Sequence, residues 1–190
     1  DSVILDVSNL DYENNNGTLT IVFSKEIGET SDSLLSQITV IPSQLVDISN
    51  LQQTEVVTTW TANIIALPNK YHICAHIMVS YEGSTKRTNN FDIDTIIPEL
   101  KRVDLDVDII NGFYYNKPSA SIELEFSREL LETSITEYIE IEPSNQILLT
   151  SLSKSVDDAK IWNGVISVSG EIQYPNASVV VDYRDKDNFS

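Results

Sequence analysis

The sequence predicts an all-β protein laid out as two tandem β-sandwiches. Three observations carry this. Apolar and polar residues alternate over short runs, turn residues separate those runs, and the first half of the chain recurs in the second at a nearly constant offset. The runs include "TLTIVF" (18–23), "QITVI" (37–41), "SIELEF" (121–126), "YIEIE" (138–142) and "SVVVDY" (178–183). A period of two, rich in Val, Ile, Thr and Tyr, marks strands buried on one face. Asn14-Asn15-Asn16-Gly17, Pro42-Ser43, Pro68-Asn69, Asn111-Gly112 and Pro143-Ser144 supply turns between them. No long segment has helical periodicity.

The repeat fixes the domain count. "IVFSKEIGETS" (21–31) aligns with "LEFSRELLETS" (124–134), and "ITVIPS" (38–43) with "IEIEPS" (139–144). Phe23 matches Phe126, Pro42 matches Pro143, Trp60 matches Trp162 and Tyr81 matches Tyr183, at offsets of 101 to 103 residues. Two copies of one domain of about 100 residues follow, spanning 1–95 and 96–190. After Tyr183 only "RDKDNFS" remains, where the first copy continues into "TNNFDIDT". The second copy is therefore expected to have its last strand missing or disordered. Either the tail is simply unstructured, or the open edge takes a strand from elsewhere.

Composition narrows the partners. Of 190 residues, 41% are hydrophobic and 22% charged, as expected of globular material. The formal charge is −17, spread over both halves: 4 basic and 12 acidic residues in 1–95, 8 and 17 in 96–190. Such a surface repels nucleic acid and anionic membranes and attracts Ca²⁺ or basic partners. Cys74 is the single cysteine, so no disulfide framework exists. No apolar run reaches membrane-spanning length. The chain opens at Asp1 without an initiator Met or signal peptide, and is expected to be part of a longer protein.

A set of ordered motifs resembles the bacterial immunoglobulin-like repeats of giant surface adhesins secreted by type I systems, the RTX-type and biofilm-associated proteins. The motifs are "VFSKE" (22–26), "WTANI" (60–64), "YEGSTKRTNN" (81–90) and "FDIDTIIP" (91–98), echoed by "EFSRE" (125–129), "WNGVI" (162–166) and "YRDKDN" (183–188). The resemblance implies immunoglobulin-like sandwiches on the cell surface. They would act as extender repeats that project a distal binding region, with calcium stiffening the joints. Their partners would be neighbouring repeats, with a host-cell or surface receptor engaged through other regions. Two departures stand out. Lys25 and Arg128 occupy the position of the family's glutamate after Phe-Ser, displacing Glu26 and Glu129 by one, and the first copy lacks the Asp and Gly-Asn of its loop.

The joint between copies carries the candidate metal site. In an immunoglobulin-type sandwich the last strand ends at the pole where the next domain begins, and that domain presents its B–C and F–G loops there. Asp94 would leave the first domain at this pole. Glu129, in "SREL" (127–130), and Asp185 and Asp187, in "RDKDN" (184–188), would arrive from the second. Ca²⁺ takes six to eight oxygens at about 2.3–2.6 Å, which converging carboxylates could supply. Two alternatives stay open: solvated aspartates, or Arg128 itself serving as the cation for Asp94 or Asp185. Asp92, Asp104, Asp106 and Asp108 alternate with apolar residues and are expected on the wet faces of strands.

Other constellations point away from chemistry. His72, Cys74 and His76 alternate on one strand, with Ile73, Ala75, Ile77 and Val79 expected on its core face. Residues four apart on a straight strand lie about 13 Å apart, too far to share a zinc ion. No phosphate loop, nucleophile elbow or metalloprotease motif occurs, so no enzymatic activity is expected. Trp60 and Trp162 are expected in the cores, because each sits at the matching landmark of its repeat. The three glycosylation-type sequons, at Asn16, Asn176 and Asn188, carry no weight in a bacterial repeat. The alternative function is a carbohydrate- or protein-binding module, for which Phe113-Tyr114-Tyr115 is the candidate surface.

Overall fold

Burial follows the sequence alternation most closely in the inner strands at 16–22, 59–66, 119–126 and 161–166. The computed structural model describes residues 1–106, 118–144, 146–168 and 177–184. They fall into two compact units, Asp1–Ile96 and Ile97–Ser190, each an immunoglobulin-like β-sandwich.

In unit one, β1 (Ser2–Leu5), β3 (Asn16–Val22), β6 (Thr59–Ala66) and β5 (Val46–Gln53) form one sheet in the order β1-β3-β6-β5. The facing sheet runs β2 (Asn9–Asp11), β9 (Phe91–Asp94), β7 (Tyr71–Tyr81) and β4 (Ile38–Ile41). β8 (Ser84–Arg87) turns back along the far half of β7, on the edge that β9 uses nearer its start. β2 and β9 are parallel, with Leu10 opposite Ile93. Leu19, Ile21, Trp60, Ala62 and Ile64 from one sheet meet Ala75, Ile77, Phe91 and Ile93 from the other. A five-residue helix, α1 (Ser31–Leu35), is capped by the Thr30 hydroxyl, which accepts from Ser33 N–H, and is anchored by buried Leu34. Five residues are too few to show a helical period.

Unit two repeats the first sheet as β10 (Leu100–Leu105), β11 (Ser119–Phe126), β14 (Ile161–Val168) and β13 (Ile147–Lys154), in the order β10-β11-β14-β13. Opposite lie β12 (Ile139–Glu142) and β15 (Ser178–Val181), paired antiparallel. Ile122, Leu124, Phe126, Ile135, Trp162 and Ile166 form the core. The expectation about a last strand falls on 185–190, outside the described residues, as do Asp108 and Phe113-Tyr114-Tyr115.

β7 corrects one expectation. Its register breaks between His72 and Ala75, and Cys74 has φ +66°. The extra residue of this bulge reverses the strand's phase. Ala75, Ile77 and Val79 face the core as expected, but Ile73 is 55% exposed. Asp92, an expected wet-face residue, closes the bulge by accepting from Cys74 N–H at 2.9 Å.

Both units contain a cis X–Pro bond at matching places, Ile41-Pro42 and Glu142-Pro143. A sharp packing difference between them lies below the tryptophan. Ala62 of unit one corresponds to Gly164, where a Cβ would stand 2.5 Å from the Ser151 carbonyl oxygen and 2.9 Å from Ile122 Cγ2. Backbone cannot move aside as a flexible side chain can, so Gly164→Ala should destabilise unit two by about 1–3 kcal/mol. Trp162→Ala, which empties the core, should cost about 3–5 kcal/mol. Denaturant unfolding of the two variants beside the parent chain measures both.

Candidate functional site

The strongest shared constellation is one that the sequence reading did not single out. In unit one the rings of Phe23 and Tyr81 meet edge to face at 5.3 Å. The Tyr81 hydroxyl donates to Glu29 Oε1 at 3.3 Å, and Glu29 Oε2 accepts from Ser33 Oγ at 2.6 Å. Unit two repeats this: Phe126 meets Tyr183 at 4.9 Å, Tyr138 adds a second edge contact at 5.0 Å, and the Tyr183 hydroxyl donates to Glu132. Glu29 and Glu132 are the matching glutamates of the repeated "ETS". That duplication was the available signal. The arrangement ties the loop after β3 in unit one to Tyr81 at the end of β7, and the loop after β11 in unit two to Tyr183 just beyond β15.

In unit two this loop lies between β11 and β12, and two cations of the same unit hold it. Lys154 Nζ lies 3.0 Å from Glu129 Oε1 and donates to the Leu130 carbonyl at 2.7 Å. The ammonium also sits 5.9 Å from the centre of the Trp162 ring. Arg184 Nε lies 3.0 Å from Glu132 Oε1, and the Glu132 side chain is only 6% exposed.

The four candidate calcium ligands are placed as follows. Asp94 ends β9 in unit one, half-buried and opposite Tyr71. Glu129 lies in unit two, exposed and engaged by Lys154. Asp185 and Asp187 lie outside the described residues. Within either unit, no three described His, Cys, Asp or Glu side chains gather as a metal-ligand group. His72 and His76 are half-buried on either side of the β7 bulge, and Cys74 is exposed. Thr95, next to Asp94, is fully buried. Its hydroxyl donates to the Leu67 carbonyl at 2.6 Å and accepts from Lys70 N–H at 2.9 Å. This anchors the end of β9 to the β6–β7 turn.

Asp104 and Asp106 are exposed as expected, but Asp104 is not simply solvated. It stands directly opposite Glu123 across β10 and β11, a like-charge pair that would be repulsive alone. Arg102 lies beside both. Its guanidinium bridges Asp104, Glu123 at 2.6 Å and Glu125 at 2.9 Å. Hydrogen bonds to Glu125 and then Glu123 hold it above its ordinary pKa. An open hollow of about 540 Å³ lies over this sheet, lined by Asp104, Asp106, Ser121, Glu123, Ser151 and Asn163 among others. Trp60 and Trp162 are 4% and 1% exposed, so neither offers a ring face to a sugar. Among the described residues, no helix is long and apolar enough to cross a membrane.

These features define a pair of repeated sandwiches whose loops are tied down by aromatic and ionic contacts. No family model matches the chain, and no curated protein matches it in sequence. Among solved structures, the chain is similar in fold to FdeC, an adhesin of Escherichia coli, with a TM-score of 0.51 at 8% identity. The match covers 96% of this chain and 64% of that one.

Two outcomes follow. Arg102→Gln exposes the Asp104–Glu123 repulsion, so the melting temperature of unit two should drop by a few degrees in dilute buffer and recover as salt is added. Scanning calorimetry at two ionic strengths reads this. Burial first, then the charges of Glu82 and Glu29, hold the Tyr81 phenol above its ordinary pKa of 10.0. A raised acid favours the protonated folded state. Its contribution is therefore intact below the ordinary phenol range and is lost as pH climbs from there toward the raised value. Tyr81→Phe should flatten part of that alkaline loss in a stability-versus-pH series.

Proposed function

We propose that the chain is a structural extender segment of a bacterial surface adhesin, positioned outside the cell to project a distal binding region. The observation that carries this reading is duplication. The buried tryptophan and the Phe–Tyr–Glu constellation occur in both units at matching positions. A spacer needs the same fold repeated, whereas a binding module needs something present in one copy. The likeness in fold to an adhesin supports the same reading. So does the resemblance of the sequence motifs to type I-secreted adhesin repeats.

In this reading the partners are neighbouring repeats, and the receptor is met by other regions. The joint is set by ions, with calcium held by Asp94, Glu129, Asp185 and Asp187, or by Arg128 pairing in place of the metal. Nucleic acid is not a partner, because a charge of −17 repels it. The role requires no catalysis.

Small-angle scattering of the full chain, with millimolar Ca²⁺ and then with chelator, tests the extender role. The expected result is an elongated particle; stiffening with calcium that chelator reverses selects the metal at the joint, and a particle unchanged by calcium selects Arg128 pairing in its place. Specific, mutation-sensitive binding on a glycan array would replace the extender role with the binding-module alternative.

A further inference from the structure

The two units differ in charge at the same pole. In unit one Gln53 lies opposite Trp60 in the β5–β6 register, and its side-chain amide donates to the Val57 carbonyl. In unit two the residue opposite Trp162 is Lys154. The residue after the core tyrosine is Glu82 in unit one and Arg184 in unit two. Both have left-handed backbone, at φ +46° and +36°. Glu82 has only a loose partner, Lys25 at 3.9 Å, with both side chains mostly exposed. Thus unit two has a cation at two places where unit one has a neutral amide and a carboxylate. Each cation meets a carboxylate of the same loop: Lys154 meets Glu129, and Arg184 meets Glu132.

The surroundings suit a built contact. Lys154 makes two contacts from its ammonium, to a side-chain and a main-chain oxygen three ångströms or less away, and keeps the Trp162 ring beneath it. The carbonyl it meets belongs to Leu130, whose side chain is fully buried, so the ammonium grips the loop where the core anchors it. Glu132 accepts from a tyrosine hydroxyl as well as facing Arg184. A divalent ion in such a loop would also bridge carboxylate and main-chain carbonyl oxygens.

We propose that Lys154 and Arg184 act as internal cations that lock the β11–β12 loop of unit two, so that this pole keeps its shape without a metal ion. This rests on reading the pole as one face of an ion-set joint. It narrows that reading, because Glu129 comes to the joint already neutralised. It also assigns Lys154 a positioning role that the sequence motifs did not reveal.

Hydrogen exchange of the full chain, followed by mass spectrometry over segment 127–135, tests the lock directly. In the parent chain, exchange there should be the same with millimolar Ca²⁺ and with chelator. Lys154→Gln, which installs the residue type of unit one, should speed exchange of 127–131 several-fold. Adding Glu129→Gln to that variant should change it little further, because the partner is already lost. Arg184→Gln should speed exchange nearer Glu132. Unchanged exchange in Lys154→Gln would overturn the proposal. So would calcium-dependent slowing of 127–135 in the parent chain. Segment 24–34 of unit one, read in the same experiment, serves as the reference for global unfolding. Failure of the extender reading would appear separately, as a scattering profile without an elongated particle, and would leave the exchange result intact.

Discussion

Each unit depends on one aromatic contact made across its sandwich. Phe23 directly follows the inner strand β3 of one sheet, and Tyr81 ends the long strand β7 of the other. In unit two Phe126 ends β11, and Tyr183 lies two residues beyond β15. Edge-to-face packing fixes the angle as well as the distance between rings. It therefore sets how the two sheets face one another at that end. The hydroxyl of each tyrosine then reaches past the rings to a glutamate, so the same side chain that joins the sheets also places the loop. The tryptophans fill the volume behind this contact, and the alternating aliphatic residues complete it.

Much of this was legible in the sequence. Period-two runs located most strands, because one-sided burial leaves that pattern wherever the backbone is regular. The internal repeat gave the two-fold organisation, since the four landmarks it aligned are core or turn residues. Pattern reading failed where the backbone is irregular. Ile73 looked like a core residue, but the bulge at Cys74 turned it outward, and no residue type announces a bulge of that kind. Asp92 and Asp104 looked merely wet. Their roles, closing the bulge and facing Glu123 beside Arg102, depend on registers that join residues about 20 positions apart. Lys154 was equally hidden, because its partner Glu129 is brought near by the pairing of β14 with both β13 and β11.

The copies also show what duplication leaves free to change. Core volume is conserved in kind, down to the Ala62–Gly164 exchange, where the Ser151 carbonyl leaves no room for a Cβ. Charge is not conserved. Both halves are acidic, yet unit two places Arg102, Lys154 and Arg184 directly on carboxylates, whereas the Lys25–Glu82 pair of unit one is long and exposed. An acidic sandwich can thus limit its own repulsion locally while its net surface charge stays strongly negative.

The parallel pairing of β2 with β9 has a mechanical consequence. β2 follows closely on the start of unit one, and β9 closes it, with Asn9, Leu10 and Asp11 opposite Asp92, Ile93 and Asp94. Tension applied between the two ends of the unit pulls these strands past one another along their length. The rungs of the ladder are then loaded together in shear instead of being opened one at a time, and Thr95 clamps the end at which the pull is delivered. Resistance to force is governed by the rate of unfolding rather than by equilibrium stability. A tether built from such units would hold through brief strong pulls even if each unit were only modestly stable at rest.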